Sequence, residues 1–245
     1  MRVFGLIGNP LNHSFSKDYF TNKFLKESIE DAIFELFPLK GIHEFVDLIG
    51  ANPLLSGLAV TIPFKESVMP YLDEVDATAA KVGAVNCITF SSGKTTGYNT
   101  DILGFEKSLT AFSIPEKTKA LVLGTGGASK AVQYVFNNRA MGYLIVSRDK
   151  VGDRFIDYTQ ITQELLSEYK LIVNCTPIGM GAFKNEKPLL PYEYINSTHI
   201  LLDLIYNPAE TLFLTEGIKK GAQISNGLSM LEHQADANWL IWNKH

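Results

Sequence analysis

Along the first hundred residues, apolar runs of strand length alternate with stretches whose apolar positions recur every three or four residues. Residues 3–8, 32–39 and 57–62 read as strands, and residues 16–28, 41–50 and 64–75 as the helices between them. The rhythm then changes. Residues 82–90 and 95–101 form two strand-like runs around a polar turn at Ser91 to Lys94, and residues 102–112 return to helical spacing. A break from Pro115 to Lys119 precedes a second series. Its strands are expected at 120–124, 142–148, 170–177, 199–208 and 222–226, with helices at 126–138, 161–169 and 210–220. Such alternation implies an α/β fold with a mostly parallel sheet. In the last segment, 227–242, Leu228, Leu231, Ala235, Trp239 and Trp242 share one helical face. That helix is expected to return to the first domain, so the domains are read as 1–101 plus about 228–245, and 102–227.

Composition narrows the function. With 46% hydrophobic and 20% charged residues, the chain has the balance of an ordered globular protein. Its net charge of -4 provides no general field for nucleic acid or an anionic membrane, so an anion must be held locally. Cys87 and Cys175 each lie in an apolar run and read as buried thiols in a reducing, cytoplasmic setting. Apolar stretches stop short of spanning length. The expected partner is a small molecule rather than a nucleic acid or a membrane, with the chain a monomer or a homodimer.

The segment 120–132, ALVLGTGGASKAV, supplies the first chemistry: a strand, then Gly124, Gly126 and Gly127, then a helix opening with Ala128. Glycines let the backbone approach a pyrophosphate, whose charge suits the free N–H groups at a helix N-terminus. A glycine-rich turn without a ligand is the plain alternative, and the strand, helix and second strand around it favour the Rossmann-type reading. That second strand ends at Ser147 and Arg148, where an acidic residue would suit the ribose of NAD. Arg148 suits a 2′-phosphate and hence NADP, although it could be a solvated surface arginine. Asp149 beside it keeps NAD open.

Eight blocks in order then resemble the shikimate dehydrogenase family: 8–17 (GNPLNHSFSK), 57–65, 83–88, 97–105, 123–131, 174–180, 203–211 and 227–235. The resemblance implies reversible NADP-dependent hydride transfer between shikimate and 3-dehydroshikimate, in aromatic amino acid (chorismate) biosynthesis. It makes Lys65 and Asp101 the catalytic pair; Lys65 is read as the proton-transfer group and Asp101 as its orienting and proton-sharing partner, and which of the two formally moves the proton stays open. Ser14, Ser16, Thr61, Asn86, Tyr206 and Gln234 match substrate-binding positions; Thr176, Gly227 and Met230 match positions beside the cofactor. No metal is implied. Read as isolated residues, Ser14 and Ser16 could cap a helix, Lys65 and Asp101 could be a surface ion pair, Asn86 could bond its own loop, Gln234 could be solvated, and Met230 could be helix core. The chain departs from the family at Ala59, where an asparagine is usual, and a local hydrogen bond is expected to be lost or replaced there. A quinate/shikimate dehydrogenase using NAD, or a catalytically silent binding protein, would share most of these residues.

Overall fold

Strands form where apolar residues alternate or run together, and the computed structural model describes them together with residues 1–11, 14–149 and 152–244. The chain divides into two compact units: Met1–Asp101 with Glu232–His245, and Ile102–Leu231. In the first unit the elements are β1 (Arg2–Gly8), α1 (Phe15–Lys26), β2 (Ala32–Pro38), α2 (Phe45–Ala51), β3 (Leu55–Val60), β4 (Glu74–Val75), α3 (Ala77–Val82), β5 (Cys87–Ser91) and β6 (Lys94–Tyr98). They build one sheet in the order β2-β1-β3-β5-β6-β4. β1 runs parallel to β2 and β3, while β5 is antiparallel to both β3 and β6.

α4 (Asp101–Leu109) leads into the second unit. There β7 (Lys119–Leu123), α5 (Gly127–Asn138), β8 (Tyr143–Val146), β9 (Phe155–Ile156), α6 (Gln163–Glu168), β10 (Tyr169–Asn174), β11 (Ile200–Asp203), α7 (Leu212–Lys219) and β12 (Gln223–Ser225) give the parallel order β12-β11-β10-β7-β8-β9. β7, β10 and β11 are almost wholly buried, as strands covered on both faces must be. Thr162 and Thr211 cap α6 and α7 by accepting from the amides of Leu165 and Leu214. α8 (Leu228–Trp242) closes the series, and the division between the units falls within it, between Leu231 and Glu232. No helix among the described residues is long and apolar enough to cross a membrane.

The aromatic half of the first unit's core joins Phe4, Phe20, Phe24 and Phe34 to Ala235 and Trp242 of α8. Phe4 stacks on Trp242 at 5.1 Å and Phe20 on Phe34 at 4.6 Å. The Trp242 indole donates to the Ile88 carbonyl at 3.0 Å and lies over Gly57, where any side chain would enter its ring. Ala59, the departure from the family, is buried in this same apolar cluster.

Two expectations need correction. The stretch 64–75 is no α-helix: turns lead to a 3-10 turn at Met69–Tyr71 and then to β4. Pro70 has no N–H and its ring would clash with the preceding turn of an α-helix, while Phe64 and Val68 are buried without needing a continuous helical face. The five strands expected in the second series form, and a sixth joins them as β9, whose two residues are too short to leave an apolar pattern.

Candidate active site

Backbone hydrogen bonds set the first unit's polar cluster. The Val60 amide donates to the Asn86 carbonyl at 2.9 Å, and the Asn86 amide donates to that of Tyr98 at 3.0 Å, which locks Asn86 between β3 and β6. The Val85 amide donates to the Lys65 carbonyl at 2.7 Å, so the turn carrying the lysine is tied to the segment carrying Asn86. The Thr61 carbonyl accepts from the Phe64 amide at 2.9 Å within that turn. Thr100 and Asp101 follow β6 at the start of α4.

The side chains converge there. Lys65 Nζ donates to Asp101 Oδ2 at 2.6 Å, with the lysine side chain 17% and the aspartate 6% exposed. That degree of enclosure excludes a solvated surface pair. Asn86 Nδ2 donates to Asp101 Oδ1 at 2.8 Å and to Gln234 Oε1 at 3.3 Å, while its Oδ1 accepts from the Thr100 amide at 2.7 Å. Asn86 thus does bond its own loop, and also reaches other elements. Gln234 is buried rather than solvated. Thr100 and Asn238, neither of which the sequence reading assigned, complete the cluster: the Thr100 hydroxyl donates to Asn238 Oδ1 at 2.6 Å, and Asn238 Nδ2 donates to Gln234 Oε1 at 3.3 Å. The signal for Asn238 was its place one helical turn after Gln234.

Ser14 stands at the N-cap of α1 but its hydroxyl makes no capping bond. Its Oγ is enclosed and has no hydrogen-bond partner among the described residues, so this is a polar atom without its bond. Ser16 is buried in the first turn of the same helix.

In the second unit, Gly124 takes φ 99°, a conformation that disfavours a side chain, and packs beside Thr176. Around Gly126 a Cβ would meet nothing within 4 Å. α5 starts at Gly127 with no side-chain cap, and Ala128 stands in its first turn. This 12-residue helix thus opens without a side-chain cap, beside the open space at Gly126, which fits a pyrophosphate. Ser129 braces the turn by donating to the Gly124 carbonyl at 2.7 Å. Ser147 is half-buried at the end of β8; Arg148 and Asp149 are exposed, and Arg148 has no ion-pair partner among the described residues.

Thr176 donates to Asn174 Oδ1 at 2.7 Å, and Asn174 Nδ2 donates to Asp203 Oδ1 at 3.0 Å. Asp203 also accepts from the Ile205 amide and the Thr211 hydroxyl. Burial outweighs these bonds and pushes its carboxyl up to about 6. Tyr206, half-buried, follows in the same loop. Gly227 packs against the backbone of Leu204, where a Cβ would collide, and Met230 is buried as a helix-core residue would be. Cys87 and Cys175 are both free thiols, each pushed upward by burial.

Comparison with known proteins gives the same picture. Residues 6–88 match the family model described as the shikimate dehydrogenase substrate binding domain. A shikimate dehydrogenase (NADP(+)) of Clostridium botulinum is 37% identical, spanning 99% of this chain and 96% of the relative. The crystal structure of shikimate dehydrogenase 1 from Peptoclostridium difficile matches with a TM-score of 0.86 at 36% identity, over 100% of this chain and 92% of that one. The shikimate 5-dehydrogenase of Thermus thermophilus, solved in complex with NADP(H) and shikimate, matches with a TM-score of 0.88 at 30% identity, over 100% and 94%. A parallel sheet with an open glycine turn, accompanied by a second sheet bearing an enclosed lysine–carboxylate pair, defines a dinucleotide-dependent oxidoreductase. The chain belongs to the shikimate dehydrogenase family.

Proposed function

We propose that this enzyme reduces 3-dehydroshikimate to shikimate with NADPH, and catalyses the reverse reaction with NADP. The observation that carries this reading is the enclosed Lys65–Asp101 pair at 2.6 Å, joined through Asn86 to Gln234. Gly124, Gly126, Gly127 and Ala128 would hold the pyrophosphate and Ser147 and Arg148 the 2′-phosphate, with Thr176, Gly227 and Met230 beside the rest of the cofactor. NADPH supplies the hydride that goes to the carbonyl carbon.

The carbonyl oxygen gains negative charge as the carbon accepts hydride, so a positioned proton donor lowers the barrier. Lys65 Nζ carries three N–H bonds and spends one on Asp101 among the described residues. Another is directed at the substrate oxygen, and its proton passes there as the carbon–hydrogen bond forms. Lys65 is left as the neutral amine, and Asp101, held on its other oxygen by Asn86, keeps that amine in place. The oxidation direction reverses each step. Ser14 offers the substrate carboxylate a hydroxyl that no other described residue uses, and Ser16, Thr61, Asn86, Tyr206 and Gln234 complete the substrate set.

A second reading rests on Asp149, which stands exposed beside Arg148 and would accept from the ribose hydroxyls of NAD. Under it the enzyme takes NAD and oxidises quinate as well. We place the enzyme in the cytoplasm, consistent with two unbridged cysteines, as a monomer or a homodimer. The deciding experiment is cofactor reduction by the purified protein with shikimate or quinate, each with NADP and with NAD. Turnover is expected chiefly with shikimate and NADP. Equal rates with quinate and NAD would favour the second reading, and shikimate binding without turnover would make the chain a binding protein.

A further inference from the structure

Three side-chain amides, Asn86, Asn238 and Gln234, close a buried ring with Thr100, which takes part through its backbone N–H and its hydroxyl. A carboxamide has a donor end and an acceptor end, so each of the three amides in this ring could in principle face two ways. Two groups of fixed polarity decide for all of them. The Thr100 backbone N–H can only donate, and it meets one end of Asn86 at 2.7 Å; the Asp101 carboxylate meets the other end at 2.8 Å and, beside Lys65, can only accept. Asn86 must therefore turn its oxygen to Thr100 and its NH2 to Asp101. The second hydrogen of that NH2 points to Gln234 at 3.3 Å and requires the glutamine oxygen there.

A single contact of 3.3 Å from Asn86 is a weak hold on a side chain as long as Gln234, and its amide keeps some rotational freedom. Asn238 removes that freedom. It is fully buried, and the Thr100 hydroxyl, 3.1 Å from the Asn86 Oδ1 that the Thr100 amide already serves but 2.6 Å from Asn238 Oδ1, gives its one hydrogen to Asn238. That leaves only its NH2 to face Gln234, where it donates to the same oxygen at 3.3 Å. With two donors converging on Oε1, what the Gln234 amide can offer outside the ring is N–H.

We propose that Asn238 is a positioning residue that fixes the polarity of the Gln234 amide, so that Gln234 meets the bound acid only as a hydrogen-bond donor. The chemical class it recognises is an acceptor oxygen, a carboxylate or a hydroxyl lone pair. A substrate group that must itself donate is refused at this point. The assignment rests on the substrate site proposed above.

Asn238→Asp tests it with almost no change of shape. The carboxylate still accepts from Thr100 but turns an acceptor toward Gln234 Oε1, which favours rotation of the glutamine so that its oxygen faces the substrate. The KM and dissociation constant for shikimate should rise about 10- to 100-fold, the effect of leaving a buried polar group opposed rather than paired. KM for NADP should stay unchanged, and kcat should fall by less than KM rises. In a Gln234→Ala background the same substitution should add less than about twofold, because its route to the substrate is gone. If Asn238→Asp fails to fold, Asn238→Ala takes its place, with a smaller rise expected and the same silence in the Gln234→Ala background. An undiminished effect in that background would show that Asn238 only supports the fold and would overturn the inference, as would an unchanged shikimate KM. If the unsubstituted enzyme neither binds nor oxidises shikimate, the functional reading fails and the inference with it.

Discussion

Lys65 and Ser14 make opposite demands on their surroundings, and each demand can be measured. Lys65→Met keeps most of the side-chain length and removes the proton, so turnover should fall about 10²- to 10⁴-fold while the shikimate dissociation constant changes little. Circular dichroism confirms the fold; turnover within a few-fold of the parent, with binding lost, would make Lys65 a binding group. Ser14 holds an enclosed hydroxyl with no partner among the described residues, an arrangement that costs folding energy. Ser14→Ala should therefore leave the melting temperature unchanged or raised while weakening shikimate binding about tenfold or more. A loss of stability together with unchanged binding would show the hydroxyl to be structural. Lys65 and Asp101 were legible in the sequence because each follows a strand-like run and lies within a family block. Thr100 and Asn238 were not: Thr100 lies in a polar strand-to-helix junction, and a polar helix residue such as Asn238 reads as solvated until the fold shows which face is covered.

At the scale of elements, local chemistry was legible wherever one residue type dictates a backbone state. The glycine turn before α5 is of this kind. The stretch 64–75 was misread because apolar spacing alone does not reveal that Phe64 and Val68 are buried from a turn. Gly227 marks a close approach: Gly227→Ala would drive a Cβ into the Leu204 backbone, and overpacking of this sort costs about 1–3 kcal/mol. The thermal midpoint should drop and NADP affinity with it. The Asp203 network offers a test by pH. Its carboxyl titrates at about 6 in the folded protein against 3.8 ordinarily, so between these values the folded state binds more proton than the unfolded one. Stability contributed by Asp203 is full below about pH 4 and is lost as pH rises toward 6, by up to about 3 kcal/mol. Asp203→Asn, which can still accept from Ile205 and Asn174, should flatten that slope in urea unfolding. A slope that survives the substitution would place its origin in another group.

For the whole molecule, the decisive feature is that the first unit is discontinuous: residues 1–101 need 232–245 to complete both their core and their candidate site. The amphipathic spacing of 227–242 was legible in the sequence, whereas the division of α8 between Leu231 and Glu232 was not, because the helical period continues unbroken across it. Apolar clusters form separately, with Leu121, Val146, Ile172 and Phe213 in one unit and Phe4, Phe20 and Trp242 in the other. The chain's two tryptophans, Trp239 and Trp242, both lie in the α8 segment of the first unit. Tryptophan emission therefore reports on that unit alone, while nucleotide binding reports on the other. Trp242→Ala removes the ring stacked on Phe4 and the bond to the Ile88 carbonyl, a loss of about 3–5 kcal/mol for a buried tryptophan. The Trp239 emission transition should move to lower urea, and shikimate binding should fail at the same concentrations. NADP binding should persist beyond that point, up to the parent midpoint of the second unit. If nucleotide binding were lost together with the emission change, the two cores would be unfolding as one cooperative unit, and the separation drawn from their clusters would be wrong.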